Sequence, residues 1–131
     1  MEVNSMIYAY LLSVSELNRI FLYQYSDKSK VNPGSWTLPV CLLEEGFTDE
    51  DFRVGLYKLF QSQLQNIELY ETHKAENGDS YVFYKADLNS DIELKDKKAD
   101  YGFYTFQQLH YFNLPKIQKD TLGKLFASQN N

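Results

Sequence analysis

The stretch Trp36–Phe60, WTLPVCLLEEGFTDEDFRVGLYKLF, carries the reading of the fold. Thr48 stands where a helix N-cap belongs, and Asp51 follows three residues later, so the pair resembles a capping box with Asp in place of Glu. Asp49, Glu50 and Asp51 crowd the first turn, where the helix dipole favours negative charge. Phe52, Leu56, Leu59, Phe60 and Gln63 share one helical face. The spacing predicts an amphipathic helix opening at Thr48, and it explains the acidic cluster without any catalytic role. From Phe52 through Ile67 there is no acidic side chain at all.

Outward from that helix, the chain reads as strands and turns. Met6–Val14 (MIYAYLLSV) is rich in strand formers, and SELN then turns the chain. Arg19–Asp27 (RIFLYQYSD) alternates Ile20, Leu22 and Gln24 with Phe21, Tyr23 and Tyr25, so both faces are expected to be partly covered. The two segments are expected to pair as a hairpin. DKSKVNPGSW reads as a loop built on Pro33 and Gly34. After the helix come two long strands, Asn66–Lys74 and Ser80–Leu88, joined through Asn77-Gly78. DIELKDKKAD reads as a charged loop, Tyr101–Phe106 as a short strand, QQLHYF as a turn of helix and KDTLGKLFAS as a closing helix, with the tail ASQNN frayed. Helices on both sides of a mixed sheet would bury such a chain.

Bulk composition bounds the rest. A chain of 131 residues is one domain's length, spanning 1–131, and large enough for a real core. Its 16% aromatic content, with eleven Tyr and nine Phe, suits a sheet-rich domain. The net charge is −5, and the arginines are Arg19 and Arg53 alone, which speaks against a nucleic-acid backbone as partner. The single cysteine, Cys41, excludes an internal disulfide and a Cys-rich zinc site, and fits the cytoplasm. The first residues lack the basic start of a signal peptide, and no apolar run approaches the ~20 residues of a membrane span.

With the helix placed after LPVCLLEEGFT, the chain resembles the Nudix (MutT-like) superfamily, whose box reads GX5EX7REUXEEXGU, U being a large aliphatic residue. Trp36, Leu38 and Pro39 match the lead-in to that box. Leu43, Glu44, Glu45, Gly46 and Thr48 match its VEEGET-like segment, and GFYTFQQLHYFNLP…DTLGKLF is similar to the family's closing strand, turn and helix. The resemblance implies an α+β fold, a Nudix-like α/β/α sandwich with a mixed β-sheet. The family's chemistry is metal-assisted attack of water on a pyrophosphate, with carboxylates one helical turn apart holding Mg²⁺.

The box is degenerate. Val40 and Cys41 replace its paired glycines, and Phe47 replaces its first Glu. Aligned without a gap, the Arg position is Gly55 and the carboxylate positions are Leu56, Leu59 and Phe60, but this puts Tyr57 where a buried aliphatic belongs. Removing one residue near the helix start puts Leu56 there, with Val54 at the Arg position and Gly55, Lys58 and Leu59 at the glutamates. The second register agrees with the apolar stripe. In neither does a ligand remain. Phe47 with Val54 or Gly55 would replace the brace between box Glu and box Arg by an apolar contact, a joint loss that leaves no buried charge unpaired. Phe47 is therefore expected to lie on Val54 and Gly55 and close the space of the metal.

The expectation is a Nudix-fold module without metal or other cofactor and without catalytic residues, binding a nucleotide-like or small anionic ligand in the cytoplasm. Lys58, an ammonium where the family places a ligand, would hold the anion. Trp36, Tyr8, Tyr10 and Tyr84 would border the cleft. Nucleic acid and membrane are not expected as partners, and a homodimer stays open. One alternative is a divergent hydrolase of a nucleoside diphosphate linked to another moiety, using carboxylates such as Glu93 or Asp96. The other is a protein-interaction domain whose cleft is filled by side chains. His73 and His110 have no metal-site spacing, Ser35 and Cys41 lack a local nucleophile signature, and Glu44 and Glu45 read as a solvated turn pair rather than a lone acid or base.

Overall fold

The computed structural model describes residues 6–28, 33–88 and 92–129. Residues 1–5, 29–32, 89–91 and 130–131 lie outside that range, and with them parts of the loop DKSKVNPGSW, the start of the charged loop and the end of the tail ASQNN. The element order is β1 (Ile7–Leu12), β2 (Ile20–Gln24), β3 (Trp36–Thr37), β4 (Val40–Leu43), α1 (Asp49–Tyr57), β5 (Leu64–Lys74), β6 (Ser80–Leu88), β7 (Asp100–Tyr104), a 3-10 turn at Gln107–Tyr111, and α2 (Lys116–Gln129). Among the described residues, no helix is long and apolar enough to cross a membrane. The chain forms two compact units, Met1–Ser13 with Pro39–Lys95, and Val14–Leu38 with Asp96–Asn131.

The first unit holds a mixed four-stranded sheet in the order β4-β1-β6-β5, with β1 parallel to β6 and the other pairs antiparallel. β5 and β6 form the expected long hairpin, and Asn77 stabilises its turn by accepting a hydrogen bond from the Asp79 amide. The irregular register between Gln65 and Glu71 bends β5, the edge strand. Side chains alternate across the sheet. Ala9, Leu11, Cys41, Val82 and Tyr84 share the face on which Phe52 of α1 packs, its ring stacked on Tyr84 at 4.4 Å. The helix is capped as the sequence predicts, with Thr48 accepting from the Asp51 amide while Asp51 accepts from the Thr48 amide at 2.9 Å. Phe52, Leu56 and Phe60 are fully buried, and Tyr57 is 43% exposed.

The second unit is built on an antiparallel sheet, β3-β2-β7. Gln118 of α2 is buried, and its carbonyl oxygen accepts from the Leu38 amide at 3.0 Å while its amide nitrogen donates to the Thr37 hydroxyl at 2.8 Å. This ties α2 to the end of β3. Trp36 packs edge-on against Tyr104 and Phe112.

Two sequence expectations need correction. The first two strands do not form a hairpin. Both neighbours of β1 are taken by β4 and β6, and β2 pairs in the other sheet. Asn18, at φ 60°, turns the chain back, and the Val14–Ile20 bridge and the Ser15 amide donating to the Arg19 carbonyl at 2.8 Å join the two arms of the turn. Second, the loop DKSKVNPGSW ends earlier than expected: Trp36 already opens β3, and β4 follows before the helix. VCLL is short, but its apolar strand formers complete the sheet edge beside β1.

Candidate functional site

Asp51, Val54, Gly55 and Lys58 recur at i, i+3, i+4 and i+7 and so share one side of α1. Together with Leu42 and Leu43 of β4 and the turn Glu44–Phe47, they line an open cleft of about 440 Å³. Gly46 adopts φ +85°, a conformation that L side chains rarely take, and this sharp turn brings Phe47 round to the mouth of the helix. The cleft has apolar walls in Leu42, Leu43, Phe47 and Val54. Its charges are Glu44, Glu45, Asp51 and Lys58. The Asp51 carboxylate is already committed to the cap of α1. Among the described residues, no three His, Cys, Asp or Glu side chains come together as metal ligands.

Gly55 is the tightest point of the helix. A β-carbon there would lie 2.9 Å from the Cys41 sulfur and 3.1 Å from its Cβ, closer than ordinary contact. Glycine in a helix interior costs about 1 kcal/mol relative to alanine, and here the close approach of α1 to β4 accounts for it. Burial pushes the Cys41 thiol up to about 12, which leaves it inert at neutral pH. Tyr84 is also drawn into packing. It is 3% exposed, its ring stacks on Phe52, and its hydroxyl hydrogen-bonds Asp49. Burial first, then the Asp49 charge and hydrogen bond, and last Cys41, raise it to about 12.

The five residues expected to bind ligand are not gathered at one place. Lys58 is exposed and lines the cleft. Tyr84 is spent on the core beside it. Tyr8 and Tyr10 lie on the opposite face of the sheet, in a ladder with Tyr81 and Phe83; the Tyr8–Tyr81 centroids are 5.4 Å apart and those of Tyr10–Phe83 5.0 Å. Alternation along β1 explains this, since Tyr8 and Tyr10 are out of phase with Ala9 and Leu11. Trp36 belongs to the other unit and is held in its aromatic cluster. Glu93 and Asp96 do not line the cleft. The Glu93 carbonyl accepts from the Gln61 amide behind the exit of α1, and Asp96 accepts from the Lys98 amide.

Phe47 also differs from expectation. Its ring meets Tyr84 nearly perpendicular at 6.4 Å, and the space between it and Val54, Gly55 and Lys58 stays open. The close neighbour of Gly55 is Cys41, not Phe47. Sequence reasoning missed this partnership because a contact between a strand and a helix leaves no local pattern. The i, i+3, i+4, i+7 row from Asp51 to Lys58 was the signal that could have outlined the cleft wall.

No protein-family model matches the sequence, and no curated protein does. Solved structures match over almost the whole chain. A MutT structure from work on the Aliivibrio salmonicida and Vibrio cholerae proteins aligns with TM-score 0.77 at 12% identity, covering 95% of this chain and 98% of its own. The MutT protein of Methanosarcina mazei Go1 aligns with TM-score 0.71 at 17% identity, covering 100% and 99%. The NUDIX domain of Shewanella oneidensis NrtR, solved with ADP ribose, aligns with TM-score 0.72 at 14% identity, covering 98% and 90%. The fold of the chain is therefore the Nudix, MutT-like fold, an α+β fold of mixed strand order.

Proposed function

We propose that this chain, as one Nudix-like domain over residues 1–131, is a non-catalytic binding or regulatory module for a nucleotide-like or small anionic ligand. The observation that carries the reading is the side of α1 facing the cleft, where Val54, Gly55 and Lys58 follow the capping Asp51 and none of the three is a carboxylate. Mg²⁺ takes oxygen ligands in near-octahedral array, and apolar, absent and cationic side chains supply none. Gly55 strengthens the point, because Cys41 occupies the space that a glutamate side chain would need to leave the helix. The buried Leu56 and half-exposed Tyr57 fit the shifted register, in which Gly55 and Lys58 stand at ligand positions.

An open cleft supports ligand binding over a purely protein-binding role, for which a filled cleft was the expected sign. Apolar walls with a few polar groups are the usual make-up of small-molecule sites. The NrtR NUDIX domain was solved with ADP ribose, so a related fold holds a nucleotide-like molecule. Lys58 offers the charge for one phosphate or carboxylate. Glu44 and Glu45 oppose a polyphosphate, and so favour a ligand of low negative charge.

The test is a thermal-shift and calorimetric screen of nucleotides, sugar nucleotides and ADP-ribose, with Mg²⁺ and with EDTA. A ligand that binds the folded state alone raises its melting temperature. The expected result is a rise that EDTA does not remove and that K58A diminishes. A rise seen only with metal would contradict the reading, as would no rise with any compound.

A further inference from the structure

Phe47 is a wall shared by two clefts. On its other side, Phe47, Ile7, Thr72, His73, Lys74, Ser80 and Val82 line an open cleft of about 480 Å³ within the same unit. That volume lies in the range of small-molecule sites, ~300–1,000 Å³. Register explains its chemistry. Ile7 and Lys74 both pair with Ser80, and Thr72 pairs with Val82, so these five side chains stand on one face of the sheet. Val82 and Ile7 make an apolar floor. The Lys74 ammonium and the hydroxyls of Thr72 and Ser80 stand along the β5–β6 side.

The charge pattern is the reverse of the first cleft. Lys74 is the one Lys, Arg, Asp or Glu among the lining residues, so no carboxylate lines the space. The His73 ring points to the opposite face, where it meets Phe83 at 6.0 Å and Glu71 at 3.1 Å. Asp79 of the turn, next to Ser80, has both carboxylate oxygens engaged, by the Met6 amide at 3.0 Å and the Asn77 side chain at 3.1 Å. Among the described residues, Lys74 has no ion-pair partner, and the Thr72 and Ser80 hydroxyls make no hydrogen bond to another side chain or backbone group. Three uncommitted donors thus edge an apolar floor closed by an aromatic ring.

We infer that this second cleft is an anion site for a small molecule carrying one phosphate beside a flat ring, the chemistry of a nucleoside monophosphate. Lys74, Thr72 and Ser80 hold the phosphate through charge-assisted and hydroxyl hydrogen bonds. Phe47 and Val82 cover the ring. The site is separate from the Lys58 cleft and stands or falls independently of it.

The experiment titrates ¹⁵N-labelled protein with AMP, with adenosine and with inorganic phosphate, and repeats the AMP titration on K74A, F47L and, as a control, K116A in the other unit. Expected are AMP-induced shifts centred on Thr72, Lys74 and Ser80, with weaker binding of adenosine and of phosphate alone. Losing the charged partner in K74A should weaken AMP about tenfold or more. F47L should weaken it about threefold to tenfold, and K116A should leave it unchanged. Shifts centred on Val54 and Lys58, equal affinity in K74A, or no response to AMP would each overturn the inference. The first of these would still agree with ligand binding in the Lys58 cleft.

Discussion

The turn before α1 and the cleft-facing side of the same helix are one residue row apart, and they have opposite fates. In the turn, Leu43, Glu44, Glu45, Gly46 and Thr48 match the Nudix pattern, and each explained role is structural: Gly46 supplies a positive φ, and Thr48 caps the helix together with Asp51. On the cleft side, Val54 stands at the Arg position of the shifted register and Gly55 and Lys58 at glutamate positions, and none of the three offers a carboxylate. The groups that fold the loop and the groups that would do chemistry on it are separable. A chain can keep the first without the second, because the residues that cap the helix and shape the turn are not the ones at the ligand positions.

The largest effect tests the buried side of the helix. L56A should destabilise the protein by about 2–5 kcal/mol in urea unfolding, since Leu56 is fully buried. A loss below about 1 kcal/mol would break the assignment of that face to the core.

The next test sharpens the cleft side. G55A adds a methyl group 2.9 Å from the Cys41 sulfur, so it should destabilise by about 1–3 kcal/mol, even though alanine is the better helix former by about 1 kcal/mol. C41A should recover much of that loss, and a double-mutant cycle measures the coupling. A stabilised G55A would mean that α1 and β4 are not in close contact.

Smaller still is the cap. T48A should cost about 1 kcal/mol, with D51A no more than additive in part, because the two side chains act on each other's amides. Full additivity of the two losses in urea unfolding would argue against a reciprocal box.

The smallest effect is alkaline. Cys41 and Tyr84 are both raised, from 9.0 and 10.0, to about 12 in the folded protein. A raised acid binds its proton more tightly when folded, so its contribution is complete below about pH 9 and falls away between there and about 12. Stability should therefore decline over that window, and C41A and Y84F should each flatten the slope in unfolding titrations. A flat profile in the parent protein would contradict the burial of both groups.

How much of this the sequence disclosed follows the same division. The helix start, its buried stripe and the Asn77-Gly78 hairpin turn were legible because each is written in local spacing. The lack of acidic side chains from Phe52 through Ile67 is plain in the sequence too, since it needs only residue identity. The split of β1 and β2 between sheets was not, because pairing partners β4, β6 and β7 lie far along the chain. Nor was the Cys41–Gly55 contact, or the side of the sheet on which Tyr8 and Tyr10 stand. Those depend on which face of a strand the helix covers, and both faces of β1 carry apolar side chains.

The central claim is that the cleft beside α1 does not run metal-dependent phosphate chemistry, and activity measures it most directly. Purified protein should be incubated with ADP-ribose, nucleoside triphosphates and dinucleoside polyphosphates in Mg²⁺ or Mn²⁺, with product release followed against an EDTA control. The account predicts no turnover above the rate without enzyme, in either metal. Hydrolysis that EDTA abolishes and added metal restores would contradict it.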